Sequence, residues 1–307
     1  MGWFGRRSHS EVPSWASFFD DERFRAFLTV VEAELVSRGL TYELGDGVVA
    51  LHGPGVKDGL TLGLQNLAQL CNHEPLAAWS DVVSGHFAGM LGRDAEEAEL
   101  ARRVHDFEAV RPSLRVRLYG EEVAGPERVT WPVADGLTAA LVFDLPTAVR
   151  TVSADDAGRW GRSREELYAI GLANALKEPV EVEEVQLEGG GVVQALMGPS
   201  FFTSARALSL DVPDDHPYGA LVAVPHRHVV LVHVIAGLEV VRAINTMIVM
   251  TNGLFREGPG SISSDLYWSR GGTVRALPSS VDETGLTFRP PEEFLTEVLN
   301  RLAEPPS

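Results

Sequence analysis

From residue 107 onward the chain repeats one local pattern: two short apolar or alternating runs joined by a tight turn, then a segment of helical period. SLRVRLYG, ERVTWPV and LTAALVFDL read as strands, TAVRTVS continues them, and the spacing predicts a helix over 163–177. PVEVEEVQLEGGGVVQALMG reads as a second pair, followed by a helix over 200–210. YGALVAVPHRHVVLVHVIAG is a third pair, followed by a buried helix over 238–252, and SSDLYWSRGGTVRAL a fourth, turning at Gly271-Gly272 and followed by a helix over 290–303. Strand pairs closed by tight turns build antiparallel sheet, and the intervening helices cover one of its faces. The expected fold class is therefore α+β: antiparallel sheet from repeated strand-pair/helix units, with a smaller N-terminal α/β lobe. The units share no residue-level repeat, which excludes a solenoid.

Before residue 107 the reading differs. Residues 1–13 read as a flexible leader. In DDERFRAFLTVVEAELVSRG, Phe24, Phe27, Leu28, Val31 and Leu35 make one apolar stripe, with Asp20 or Asp21 as cap and Gly39 as stop. LTYELGDGVVALHG is a hairpin about Gly45-Asp46-Gly47. GLTLGLQNLAQL runs from strand into a short helix that stops by Pro75, and helices follow over 76–92 and 94–106. The expected division is leader 1–13, a helix-hairpin-helix lobe 14–107 and an α+β domain 108–307. Trp15, Phe18 and Phe19 fall on one helical face and read as core. Trp3 and Phe4 lie outside any periodic element, as partner anchors do.

Charge narrows the partners. Forty-three Asp and Glu against 26 Lys and Arg give a formal net charge of −17, and no basic run offers phosphates a footprint. Nucleic acid is excluded by this reading, and an anionic membrane surface is disfavoured. MGWFGRRSHSEVPSW has no continuous apolar core of a secretory signal, and the expectation is a cytoplasmic chain. One cysteine, Cys71, permits neither an internal disulfide nor a thiolate metal cluster, which fits a reducing compartment.

The candidate chemistry centres on AVPHRHVVLVHVI, residues 223–235. In a continuous strand His226 and His228 share a face with Arg227 opposite, and His233 shares its face with Val229 and Leu231. Two same-face imidazoles hold a metal if further ligands arrive, and the donors within reach in sequence are His216, Asp214 and Asp215 of VPDDHP. The competing reading makes PHRH a turn or bulge between two strands, because Pro225 interrupts the apolar run. Asn174 is the other marked residue. SREE at 163–166 is a capping box that fixes the helix register, so Leu167, Ile170, Gly171 and Asn174 share one face. An amide there either ties the helix end to a neighbour or anchors a ligand in a pocket. His226, His228, Asn174 and Arg227 are thus the candidate ligand-binding residues; His226, His228, His216 and Asp215 are the candidate metal ligands. Cys71 reads as a packed thiol. VEVEEVQLE reads as a half-exposed strand with an acidic face. No phosphate-binding glycine loop, nucleophile elbow or H-E-x-x-H occurs, and no catalytic residue is assigned.

Three stretches in order, GLTLGLQNLAQL at 59–70, SREELYAIGLANAL at 163–176 and YGALVAVPHRHVVLVHVI at 218–235, resemble the DUF1444 family, a bacterial family with no established activity. The resemblance covers residues 20–277. It implies a cytoplasmic protein. In the family pattern the position of His228 is more often acidic, which puts a metal role for His228 in doubt. With no catalytic constellation in view, the expected function is that of a non-catalytic binding or accessory protein with another protein as partner and no cofactor. The alternative is a hydrolase centred on His226, His228 and the 214–216 loop, with or without a divalent metal.

Overall fold

The computed structural model describes residues 12–304 apart from 54–55, 57–59, 92, 121–126, 189, 211, 213–215 and 283–284. The proposed leader, Trp3, Phe4, Asp214 and Asp215 lie outside the described residues, save for residues 12 and 13 of that leader. The chain divides into two compact units, Met1–Ala95 and Glu96–Ser307, and the division falls inside a helix, upstream of the change in pattern near residue 107. Every strand pairing among the described residues is antiparallel, and the fold is α+β. Among the described residues no helix is long and apolar enough to cross a membrane.

The first unit is built on α1 (Asp21–Ser37). The Asp20 carboxylate accepts from the Arg23 backbone N–H at 2.8 Å, satisfying one of the free donors of the first turn. Phe24, Phe27, Val31 and Leu35 are buried as the stripe requires, while Leu28 lies half out. They share a core with the sheet β1 (Thr41–Leu44), β2 (Val48–His52) and β3 (Leu60–Gly63), and with α2 (Gln65–Asn72) and α3 (Trp79–Leu91). Phe19, Phe27 and Trp79 cluster with ring centroids 5.4–6.5 Å apart; of the aromatics at 15–19, Phe19 is core, and Trp15 and Phe18 are half-buried against it. Cys71 is buried in the same core, and burial pushes its thiol up to about 12, far from a reactive thiolate.

α4 (Arg93–Arg103) carries the division, and α5 (Phe107–Val110) follows. The second unit holds two main sheets, where the sequence suggested a single sheet covered by helices. The first sheet has β4 (Leu114–Tyr119), β5 (Thr130–Ala134), β6 (Leu137–Asp144) and β7 (Val149–Thr151); β6 is its centre, with β4 on one side and β5 and β7 end to end on the other. α6 (Ala154–Arg159) and α7 (Arg164–Ala175) come next. The second sheet contains β8 (Glu181–Gln186), β9 (Val192–Met197), β10 (Ala220–His226), β11 (Val229–Val234), β12 (Leu266–Arg270) and β13 (Thr273–Leu277), in the order β13-β12-β10-β11-β9-β8. α8 (Val240–Glu257) links β11 to β12; a hairpin of β14 (Ser279–Asp282) and β15 (Gly285–Phe288) then leads to α9 (Glu292–Phe294), a π-helical turn Leu295–Leu299 and α10 (Asn300–Ala303).

All seven residues of β10 are buried, because both faces of this sheet are covered. Ala220, Val222 and Val224 pack with Leu118, Leu141 and Phe143 of the first sheet. Leu221 and Ala223, at the alternate positions, pack with Ile244, Met247 and Ile248 of α8. Each fully buried Val or Leu contributes about 2 kcal/mol relative to exposure, and this double layering explains why the sequence reads as a continuous apolar run rather than an alternating one. α8 is buried on that face only: Val241 and Val249 are exposed, which corrects the expectation of a buried helix. β8 is likewise not half-exposed. All six of its residues are exposed, because it is the outermost strand, and its glutamates guard that edge against further pairing.

α7 begins as expected, with the Ser163 hydroxyl accepting from the Glu166 backbone N–H at 3.1 Å. The reciprocal half of the capping box is replaced: the Glu166 carboxylate takes Arg162 at 2.9 Å. Gly171 lets the helix backbone approach the first sheet. A Cβ there would sit 2.8 Å from Leu141 Cδ1 and 3.1 Å from the Arg115 carbonyl carbon.

Candidate functional site

The two ends of β10 present two different environments. At one end β10 turns into β11 through Arg227-His228, so strand alternation stops at His226 and the face assignment made for a continuous strand does not apply. Among the described residues none other than glycine has positive φ, so the two-residue turn is not of the primed types that two-residue hairpins favour. A register shift between Ala223 and His226 accommodates it. Pro225 lies within this irregularity, where its missing N–H leaves no ladder bond unmade.

The tip is wrapped by backbone. Arg227 N–H donates to the Gly260 carbonyl at 3.2 Å, Ser204 N–H to the Arg227 carbonyl at 3.1 Å, and Gly198 N–H to the His228 carbonyl at 3.1 Å. Gly258 and Gly260 make this fit possible. A Cβ on Gly258 would overlap the His226 ring, and one on Gly260 (φ +71°) would lie 2.8 Å from Arg227 Cδ.

Both ring nitrogens of His228 are engaged. Nδ1 is 3.1 Å from the Gly198 carbonyl, which only accepts, so Nδ1 carries the proton. Nε2 then accepts from Arg227 Nε–H at 2.9 Å. The imidazole is neutral, and burial, reinforced by the Arg227 and Arg117 charges, lowers its pKa to about 4. Its backbone N–H meets His226 Nδ1 at 3.3 Å, and the two rings stand 6.0 Å apart. Arg227 is 8% exposed; burial first, and Arg117 second, bring its pKa down to about 10, so it stays charged at neutral pH. Its guanidinium carbon lies 4.1 Å from the Phe201 ring centroid. Arg117 of β4 stands 4.7 Å from the Tyr119 ring and 6.0 Å from Phe201, with its Nε buried and unpartnered. No carboxylate among the described residues pairs with either arginine. Leaving a buried charge without its partner costs about 3–5 kcal/mol, a cost that cation–π contact of about 1–2 kcal/mol offsets only in part.

The other end of β10 borders an open cleft of about 900 Å³. Its walls include Trp131, Pro132 and Val133 of β5, Tyr168 of α7, Leu208, Leu210 and Val212 of the segment before β10, and Thr273 and Val274 of β13. Trp131 and Tyr168 meet edge to face at 5.0 Å, and Arg164 stacks on Trp131 at 5.2 Å while donating to the Thr130 carbonyl. β5 and β13 are each the last strand on their side of a sheet.

His216 lines this cleft. It precedes β10, whereas His226 ends it; seven strand residues at about 3.3 Å each separate the two ends by roughly 20 Å. The structure therefore does not bring His216 to His226 and His228, and no group of three or more His, Cys, Asp or Glu side chains among the described residues converges as a metal site would. Asn174 goes elsewhere again. Its Nδ2 donates to the Arg111 and Leu114 carbonyls, both at 3.0 Å, and its Oδ1 accepts from Lys177 at 2.8 Å, tying the end of α7 to the start of β4. His233 is 2% exposed, with Nδ1 2.8 Å from the Val192 carbonyl and Nε2 buried without a partner.

Sequence reasoning missed Arg117, Tyr119, Phe201, Trp131 and Tyr168. The alternation in LRVRLY contained one clue: Arg115, Arg117 and Tyr119 fall on one face, and only Arg115 finds carboxylates, Asp144 at 3.4 Å and Glu178 at 3.7 Å. The others are contributed by loops and helix faces that only the fold assembles. Compared with protein-family models, curated proteins and solved structures, the chain matches none of them.

Proposed function

We propose that this is a binding protein without chemistry of its own, and that the cleft receives an extended, apolar segment of a partner polypeptide. The observation that carries the reading is that two outermost strands of different sheets, β5 and β13, both wall the cleft, beside a lining of Trp131, Tyr168, Leu208 and Leu210. An edge strand offers backbone hydrogen bonds to an added strand, and apolar pockets beside it select alternate side chains. Aromatic anchors supply most of the energy at such surfaces. The net charge of −17 favours a segment with basic rather than acidic flanks. The hydrolase reading has little in its favour: His228 is neutral with both nitrogens bonded, and no hydrogen bond among the described residues joins His216 or Glu165 to the hydroxyls of Ser209, Ser269 or Thr273 that also line the cleft. With its single cysteine buried, the chain suits a reducing compartment, and we place it in the cytoplasm. The likeness to DUF1444 adds no activity to this reading.

The test is selection from a displayed library of random peptides. Apolar, aromatic-containing sequences are expected, bound with micromolar affinity. Leu210→Glu should weaken them at least tenfold while circular dichroism shows the variant folded, and bound peptide should protect the amides of 130–131, 133–134 and 273–277 from exchange. Selected peptides that ignore Leu210→Glu and protect neither strand would sink the proposal.

A further inference from the structure

The hairpin tip carries a feature that the cleft does not explain. Arg227 spends its Nε–H on His228, which turns the two terminal nitrogens, with four N–H donors, away from the imidazole. No acceptor among the described residues takes a hydrogen bond from those four. Arg117 contributes a second guanidinium whose Nε also lacks a partner. Phe201, 39% exposed, touches both, which bounds the separation of the two guanidinium carbons at about 10 Å. Two guanidiniums that grip one tetrahedral oxyanion through hydrogen bonds of about 2.8 Å stand about 8 Å apart at most, a separation that this upper bound admits. In a chain of net charge −17, this is a place where two cations meet and no carboxylate among the described residues answers them.

We propose that Arg117 and Arg227 form a binding site for a phosphoryl group, with Phe201 and Tyr119 as its apolar walls. Charge decides for phosphoryl over carboxylate: a dianion neutralises both guanidiniums, whereas a carboxylate leaves one uncompensated. Arginine rather than lysine suits the task, because its planar fork presents paired donors to paired oxygens. The surroundings hold the fork in place. Phe201 stacks on the guanidinium of Arg227, Gly260 gives its stem room, and neutral His228 fixes its Nε edge. The ligand is free phosphate or a phosphate monoester, and an aromatic ester would stack on Phe201 and Tyr119.

The experiment is calorimetric titration of the full chain at neutral pH and constant ionic strength, with inorganic phosphate and phenyl phosphate as probes and chloride as control. Saturable binding of one phosphate per chain is expected. Arg117→Gln should weaken it at least tenfold, and Phe201→Asp, which sets a carboxylate between the guanidiniums, should abolish it. Arg117 is half-buried and its loss is tolerable to the fold; circular dichroism confirms that each variant is folded. Tighter binding of phenyl phosphate than of phosphate identifies an aromatic ester as the ligand, and equal binding identifies the free ion. Heat that tracks ionic strength alone, or phosphate binding unchanged in Arg117→Gln, overturns the proposal. Neither result bears on peptide binding at the cleft.

Discussion

The two ends of β10 differ in how their polar groups are satisfied. At the Arg227-His228 tip, backbone from segments on both sides in sequence closes around the turn, and the His228 ring and the Nε edge of Arg227 are each held by a specific neighbour. At the Gly219 end the chain opens onto a cleft walled by side chains and free strand edges. The same strand thus ends once in a rigid, charged enclosure and once in an adaptable, apolar surface. The enclosure depends on exact fit and should be intolerant of change. The cleft has room, and its residues should be replaceable at little thermodynamic cost.

The sharpest contrast comes from Gly258→Val. Its side chain would collide with the His226 ring, and a loss of about 3 kcal/mol is expected from denaturant midpoints. Next in size is the pH dependence of the tip. The His228 pKa of about 4 lies below the ordinary 6.5, so the unfolded chain binds the proton more readily than the folded one. Stability is then fully present above pH 6.5 and falls as pH drops toward 4, by about 2 kcal/mol once partial exposure is allowed for. Urea melts of wild type and His228→Gln should diverge across this window; parallel losses would show that the imidazole is not held neutral. Asn174→Ala removes two hydrogen bonds that join α7 to β4 and should cost about 1–2 kcal/mol by thermal melting. The smallest effect belongs to the cleft, where Leu210→Glu, at a half-buried position on the edge of the core, should cost about 1 kcal/mol. A Leu210→Glu loss as large as that of Gly258→Val would erase the contrast between the two ends.

Much of this arrangement is legible in local sequence. The stripe Phe24, Phe27, Val31, Leu35, the helix cap at Ser163 and the glycine turn at 271–272 each follow from period and turn chemistry, and each is where the pattern puts it. Sheet membership is not local. The strand pairs look alike in sequence, yet β4–β7 close on themselves while β8–β13 form a second layer, because pairing depends on partners distant in sequence. PHRH shows the same limit at one site. Pro225 announces an irregularity, but the residues that set the chemistry of Arg227 are Phe201, Gly260 and Arg117, which no spacing connects to it. The β14–β15 hairpin is not legible in the same way, because SSVD and GLTF carry too few alternating apolar residues to mark a strand pair.

The position of β10–β11 at the centre of the second sheet has a consequence for folding during synthesis. The hairpin is local and its turn is short, so it closes quickly, and β9 is already available to pair with β11. The other edge of β10 must wait, because β12 emerges only after the whole of α8. Until then the nascent chain carries an apolar strand with one edge unpaired, all seven of whose residues are buried in the finished fold. In that interval, rather than in the finished fold, the protein is most exposed to aggregation.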